Sequence, residues 1–510
     1  MKKRNKVFLI ILTIIAFVGI LNVHAAITTG STTSSDGISK IITEKANLTV
    51  SDIDAGDQLS AYKILDAFYN INTNVISYEF TNDFKAYLNS INNNLSIEDY
   101  FNLTSGDIES GEITTSSNLD TLASGYASYI KSHNVKGTAM SISGTTAYQT
   151  LDAGAYLVLP TKTLRVYAVM VGNLDYTANG NAWEINNESI VAKVEDAGIT
   201  KAIGNKEASS GSYGIGDVVP YVIKATVPLY PTNAINKTYV ITDTISEGLD
   251  FEAVTSIKIT DGITALTNNN GTFTNDGKTV AIAKISGKTL TITFMVDNVT
   301  SNLIRIEYKA TVNNNAIIGG NGNVNKASLE YSNDPYGTGT HNTATDAGGE
   351  GDKEVPIYVY GIQIFKHAAQ GNTPLEGATF EIYSDISMTS DNLVDTVTTA
   401  TDGYVKTKGL ASGTYYIKET SAPTGYQLLT DPITVTIGPN QASGNQLQDT
   451  NNDGYYELDI ANAAVGLLPV TGGAGTIILT IIGLAIIVGA FYFFFIYRRK
   501  KEESSTKKNN

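Results

Sequence analysis

The sequence predicts a mainly β protein: tandem immunoglobulin-like β-sandwich domains, the first with short helical insertions, and a C-terminal transmembrane helix in the precursor. Three observations predict it. Alternations of Thr, Val and Ile recur through the body, separated by clusters of Gly, Asn and Asp, as half-buried strands and their turns require. The chain carries 29 Tyr but only 17% charged residues, a composition suited to extracellular sheet domains. Apolar runs stand near both ends, and the second, from Thr476 to Ile496, is long enough to cross a bilayer as a helix.

The N-terminus has the form of a secretory signal peptide over residues 1–25. Lys2, Lys3, Arg4 and Lys6 precede the apolar stretch Val7 to Leu21, and Val23 with Ala25 form a small-residue cleavage site. At the other end Arg498, Arg499, Lys500 and Lys501 would hold the segment behind the apolar run in the cytoplasm. Between them, a chain of 510 residues implies two to four domains with ample cores. With no cysteine, an exported protein must be stabilised by something other than disulfides. A net charge of -15 with no internal basic run argues against nucleic acid as a partner.

Residues 26–46, rich in Thr, Ser and Gly, read as a flexible leader. Residues 47–196 read as an N-terminal β-rich domain, with strands at Leu59 to Phe68, Val75 to Phe80, Ala155 to Leu159 and Arg165 to Val171. Within it Leu119, Leu122, Ala123, Tyr126 and Ile130 fall at helical spacing, which predicts an amphipathic helix over 118–132. Residues 197–354 form a middle sandwich and its linker, with strands at Val218 to Val227, Tyr239 to Thr242, Leu290 to Val296 and Leu303 to Val312. Residues 355–467 form a third domain, with strands at Ile357 to Lys366, Ala378 to Tyr383, Gly413 to Glu419, Ile433 to Ile437 and Tyr455 to Ala461. Residues 468–510 are the C-terminal signal, apolar helix and basic tail.

Particular motifs then carry a resemblance. Leu468, Pro469, Val470, Thr471 and Gly472, followed by the apolar run and the basic tail, resemble the LPxTG sorting signal of Gram-positive wall proteins. The segment Tyr415 to Tyr426, YYIKETSAPTGY, resembles the E-box of Gram-positive pilins, and Leu375, Glu376, Gly377, Ala378 and Phe380 upstream are similar to the collagen-adhesin B-type sandwich. The whole chain resembles a Gram-positive LPxTG backbone pilin assembled by sortase. That resemblance implies a structural subunit of a cell-surface pilus, anchored to peptidoglycan, with Thr471 as the attachment point. It implies sortase, identical subunits and minor pilins as partners, and no enzymatic activity of its own. The alternatives from other classes are a monomeric wall-anchored adhesin that binds a host surface, or a minor pilin.

The resemblance also implies intramolecular Lys–Asn isopeptide bonds promoted by an acid. In the third domain the candidates are Lys366, Asn462 and Glu419. In the middle domain they are Lys201, Asn325 and Asp243, with Lys224 as a competing nucleophile. Burial favours a neutral amine and a protonated acid, the states that such a reaction needs. The product would tie first strand to last, so that tension passes through a covalent bond, and would restrict the unfolded chain as a disulfide does. The corresponding place in the first domain, Ala153 to Pro160, lacks the acid, so no bond is expected there.

The pilin motif WxxxVxVYPK supplies the polymerising lysine in the family. Here Trp183, the only tryptophan, is followed by Ile190, Val191, Ala192 and Lys193, so Lys193 is the candidate, although Tyr-Pro is missing before it and the spacing is one residue longer. Tyr230 and Pro231 do pair but are followed by Thr232. Asp449, Asn451, Asp453 and Gly454 match the start of a calcium loop, but Ile460 holds the place of the bidentate Glu, and a hairpin turn explains them better. Four His and no Cys give no zinc pattern, and no nucleophile elbow or phosphate loop is present, so neither metal nor cofactor is expected.

Overall fold

The structure is a computed structural model that describes residues 27–35, 37–91, 101–103, 110–111, 113–115, 119–179, 182–231, 233–343, 353–439, 447–465 and 486–498. The chain divides into two units: residues 1–195 with 231–236 and 333–339, and residues 196–230 with 237–332 and 340–510.

The first unit is built on three four-stranded sheets. Its helices are where local sequence acts most directly. Thr81 caps the helix Asn82–Ser90 by accepting from the Phe84 amide at 3.3 Å, and Phe84, Tyr87 and Leu88 bury one face. Leu119–His133 buries Leu119, Leu122, Ala123, Tyr126, Ala127 and Ile130, the spacing read from sequence. The two helices meet edge-on at Phe84 and Tyr126, with ring centroids 4.8 Å apart. Gly125 permits the approach, since a Cβ there would stand 2.1 Å from the Tyr87 hydroxyl.

Three expectations need correction in this unit. Part of the segment 26–46 is not a loose leader: strands Thr29–Thr33 and Lys40–Ile42 join a sheet with Leu65–Asn70 and Val75–Phe80, and Ile42 is buried. Leu59 to Phe68 is two strands, Gln58–Lys63 and Leu65–Asn70, which belong to different sheets. Arg165 to Val171 likewise splits into Val166–Tyr167 and Met170–Leu174. Non-local pairing decides all three, and a local pattern of apolar residues does not contain it. Residues 333–339 pack with this unit through Tyr336, a member of its core, whose hydroxyl accepts from the Val169 amide at 3.2 Å.

In the second unit, residues 198–331 form a sandwich. One sheet orders Gly198–Ile203, Val218–Thr226, Leu303–Val312 and Lys258–Asp261. The other orders Lys353–Tyr358, Asn323–Tyr331, Tyr239–Ile245, Thr289–Phe294 and Lys278–Ser286. Alternation puts Ile304, Ile306, Tyr308, Ala310 and Val312 inward from one strand, and Asn323, Asn325, Ala327 and Leu329 inward from another. The expected strand Ile357 to Lys366 is therefore split. Its first residues, Ile357 and Tyr358, belong to Lys353–Tyr358, which completes the sandwich against Asn323–Ala327, and only Gly361–Ala368 opens the next sheet.

That next sheet pairs Gly361–Ala368 in parallel with Tyr455–Asn462 and antiparallel with Tyr404–Lys406. A second sheet orders Leu393–Thr398, Thr379–Tyr383, Gly413–Ser421 and Ile433–Ile437. Ile362, Ile364, Phe380, Ile382, Ile417, Val435 and Ile460 fill the space between.

Residues 468–472, and 476–485 of the apolar run, lie outside the described residues. The remainder is seen as an exposed helix over 486–498, and no helix among the described residues is long and apolar enough to cross a membrane.

Candidate functional site

Strand parity brings the third-domain candidates together. In Gly361–Ala368 the even-numbered residues Ile362, Ile364 and Lys366 face the core, and in Tyr455–Asn462 so do Leu458, Ile460 and Asn462. Lys366 lies opposite Ile460, and Asn462 is opposite Ala368, so the two side chains share a face two residues apart along the strand pair. From the facing sheet Tyr415, Ile417 and Glu419 point inward. Lys366 Nζ donates to Asn462 Oδ1 and lies 3.1 Å from Glu419 Oε1. Asn462 Nδ2 donates to both Glu419 oxygens, at 2.9 and 3.2 Å. The Leu429 amide donates to Glu419 Oε2 at 2.7 Å, fixing the carboxyl. The Lys366 and Glu419 side chains have no exposed surface. Lys366 Nζ sits 5.4 Å from the Phe380 ring centroid, and burial lowers its pKa to about 8.

The middle sandwich repeats the chemistry with an Asp. Ile199, Lys201 and Ile203 turn inward from its first strand, Asp243 from Tyr239–Ile245 and Asn325 from Asn323–Tyr331. Lys201 Nζ donates to Asp243 Oδ2, to Asn325 Oδ1 at 2.6 Å and to the Tyr308 hydroxyl at 2.7 Å. Tyr308 in turn donates to Asp243 Oδ2 at 2.8 Å and accepts from Asn325 Nδ2 at 3.0 Å. Among the described residues, Asp243 Oδ1 is buried without a hydrogen-bond partner. Burial lowers the Lys201 pKa to about 8 and raises that of Asp243, each toward its neutral form, against the attraction of the pair.

Lys224, the competing nucleophile, occupies an outward position and pairs with Glu207 at 2.7 Å on the surface. Tyr308 was not singled out from sequence; the available signal is a Tyr at an inward position of the alternating strand Leu303–Val312.

Lys193 is exposed and follows Glu188–Val191, which pairs in parallel with Lys45–Ser51. Its carbonyl accepts from the Ala168 amide at 3.0 Å, so its backbone is held. Trp183 is half-buried, with its indole donating to the Asn74 carbonyl at 3.3 Å. The described lysines of the first unit are exposed or half-buried, and Ala153 to Pro160 is a fully buried run. Tyr230 bonds the carbonyls of Thr238 and Ser332 at 2.9 and 3.0 Å, a structural anchor. Asp449 accepts from the amides of Asp453 and Gly454, closing a turn in which Asn452 and Gly454 have positive φ.

Three stretches match known families. Residues 215–335 match the Gram-positive pilin backbone subunit 2, Cna-B-like domain; residues 361–453 match the SpaA prealbumin-like fold domain; residues 462–504 match the LPXTG cell wall anchor motif. The chain is 28% identical to the trypsin-resistant surface T6 protein of Streptococcus pyogenes serotype M6, over 88% of this chain and 94% of that one. Its fold resembles that of the T6 backbone pilin of the same serotype, with a TM-score of 0.64 at 24% identity, covering 83% of this chain and 99% of that chain. It also resembles the full-length major pilin SpaD of Corynebacterium diphtheriae, with a TM-score of 0.51 at 17% identity, covering 83% and 98%.

Proposed function

We propose, from the premise that this chain belongs to the Gram-positive LPXTG-anchored backbone pilins, a specific way in which it is joined within itself and to its neighbours. It is a structural subunit of a sortase-assembled surface pilus and not an enzyme. Within each subunit Lys366 is bonded to Asn462 and Lys201 to Asn325. The observation that supports this best is the burial, at both places, of a lysine against an asparagine and an acid in an apolar core.

The chemistry is balanced by the acid. A neutral Lys366 Nζ attacks Asn462 Cγ, the Cγ–Nδ2 bond breaks, and a proton passes from Nζ through Glu419 to Nδ2, which leaves as ammonia. Glu419 suits the relay because it already accepts from Nδ2 and stands beside Nζ. Asp243 does the same for Lys201 and Asn325, with the Tyr308 hydroxyl holding all three groups.

Between subunits, a sortase cysteine takes the Thr471 carbonyl, breaking the Thr471–Gly472 bond and releasing the Gly472 amine with the apolar helix and basic tail. That helix, Thr476 to Ile496, holds the precursor in the membrane until then. The amine of Lys193 on the next subunit displaces the thiol to form an amide. Minor pilins and peptidoglycan are the remaining partners, reached by the same acyl transfer. Boiled wall extracts from the native host test it: a high-mass ladder is expected in wild type and its loss in Lys193→Ala. A ladder that survives the substitution names another lysine, and a single band in wild type overturns polymerisation.

A further inference from the structure

The middle sandwich has a depression of about 570 Å³ at the row where Gly198 pairs with Thr226, and Thr226 with Leu303. Its apolar lining comes from Ile199, Ala225, Leu303 and Ile304, and Gly198 and Gly262 leave room on either side by having no side chain. Leu303 is 61% exposed, and the adjoining Ile263 is fully exposed. The charges at the rim are already satisfied, because Lys224 and Arg305 both bond Glu207, at 2.7 and 3.3 Å, and Arg305 also bonds Glu307 at 2.7 Å. An open apolar hollow with a neutralised rim calls for an uncharged, apolar occupant.

We propose that this hollow receives the C-terminal segment of the neighbouring subunit, Gly466 to Thr471, once that segment has been joined to Lys193. The inference rests on the assignment of Lys193. The segment Gly466, Leu467, Leu468, Pro469, Val470 and Thr471 has no charge, and acyl transfer removes its terminal carboxyl and the Lys193 charge together. Reach also allows it. Ala197, at the edge of the hollow, is four residues along the chain from Lys193, at most roughly 14 Å of backbone, while six extended residues span roughly 20 Å. Tethering makes the docking intramolecular, so a small apolar contact that would not hold a free peptide is enough. The contact sets the direction in which one subunit leaves the next and covers the new amide's approach.

Hydroxyl-radical footprinting of purified wild-type pili, against monomer released from the cell wall of a host lacking the polymerising sortase, tests this. Oxidation of Leu303 is expected to fall several-fold in the polymer relative to Ile386, an exposed residue of the third domain. A second readout is chymotryptic release of subunits by cleavage after Leu467, expected to be several-fold faster in pili of Leu303→Asp, a change at an exposed position. Mass spectrometry of the same pili identifies the linkage. A Thr471–Lys193 bond with Leu303 oxidised equally in polymer and monomer overturns the docking and leaves the attachment standing. A bond from Thr471 to a different lysine overturns both. Should Leu303→Asp fail to polymerise, the wild-type comparison alone decides.

Discussion

Lys366 and Asn462 lie on adjacent parallel strands, each two residues from the other's cross-strand partner, with their side chains in contact in the core and Glu419 against both. The first and last strands of a domain thus meet at a point where 96 residues of chain separate the two groups. A covalent link closing a loop of that size stabilises by about 4–5 kcal/mol in the chain-entropy account.

Removing the acid should leave the fold and lose the bond. Glu419→Ala is expected to reduce by one ammonia the deficit of the mature chain's mass against its own sequence mass, and Asn462→Ala to do the same. Thermal unfolding of the third domain should fall by an amount corresponding to about 4 kcal/mol or more, since the unreacted lysine also stays buried. A wild-type chain of full sequence mass would remove both proposed bonds.

The two middle-domain lysines separate cleanly. Lys201→Ala should restore one ammonia to the mass, while Lys224→Ala should leave the mass deficit intact and cost at most about 1 kcal/mol, as for an exposed ion pair. The reverse pattern would make Lys224 the nucleophile.

Bond formation should depend on pH through the amines. Burial lowers Lys366 and Lys201 from 10.5 to about 8, so below pH 8 most of the folded, unreacted chain carries a buried ammonium that cannot attack. A newly folded chain held at pH 6 and shifted upward is expected to release ammonia about tenfold faster per pH unit up to about 8, with a plateau above. Stability of the unreacted fold follows the same groups. Between about 8 and 10.5 the unfolded chain binds more protons, so stability rises with pH in that window. Asp243, whose pKa burial raises, acts oppositely at lower pH, favouring the unreacted fold when protonated. A release rate flat from pH 6 to 9 would exclude amine ionisation as the control.

The first unit offers a test of local structure alone. Thr81→Ala removes the side-chain oxygen that accepts from the Phe84 amide, and should destabilise that unit by about 1 kcal/mol, read as a lower denaturant midpoint with an unchanged slope.

What the sequence disclosed and what it hid divide along physical lines. Lys366, Glu419 and Asn462 were named through the resemblance carried by the E-box, a local motif, and the structure brings the three side chains together. The helix Leu119–His133 was legible because its apolar spacing is likewise local, and Asn82–Ser90 could have been, since Thr81 with Phe84, Tyr87 and Leu88 carries both a cap and a helical face. Tyr308 was not, because nothing local distinguishes a tyrosine that fills a core from one whose hydroxyl joins an acid and an amide. The pairing of Lys40–Ile42 with Leu65–Asn70, the packing of Tyr336 with the first unit and the transfer of Lys353–Tyr358 to the middle sheet all depend on partners distant in sequence.

The burial of Lys201 and Lys366 also governs timing. In an unfolded chain each amine is hydrated and charged, and its asparagine lies far along the sequence, so the groups are dormant. Nothing has to switch them on except the closing of the sheets around them, which strips the water, lowers the basicity and delivers the amide in one event. With the proposed bonds, such a polypeptide would cross a membrane extended and unlinked, and would acquire its permanent links only where it has folded correctly. A misfolded copy would remain open to reversal and to proteases, while a correct one would be locked by the proposed bonds.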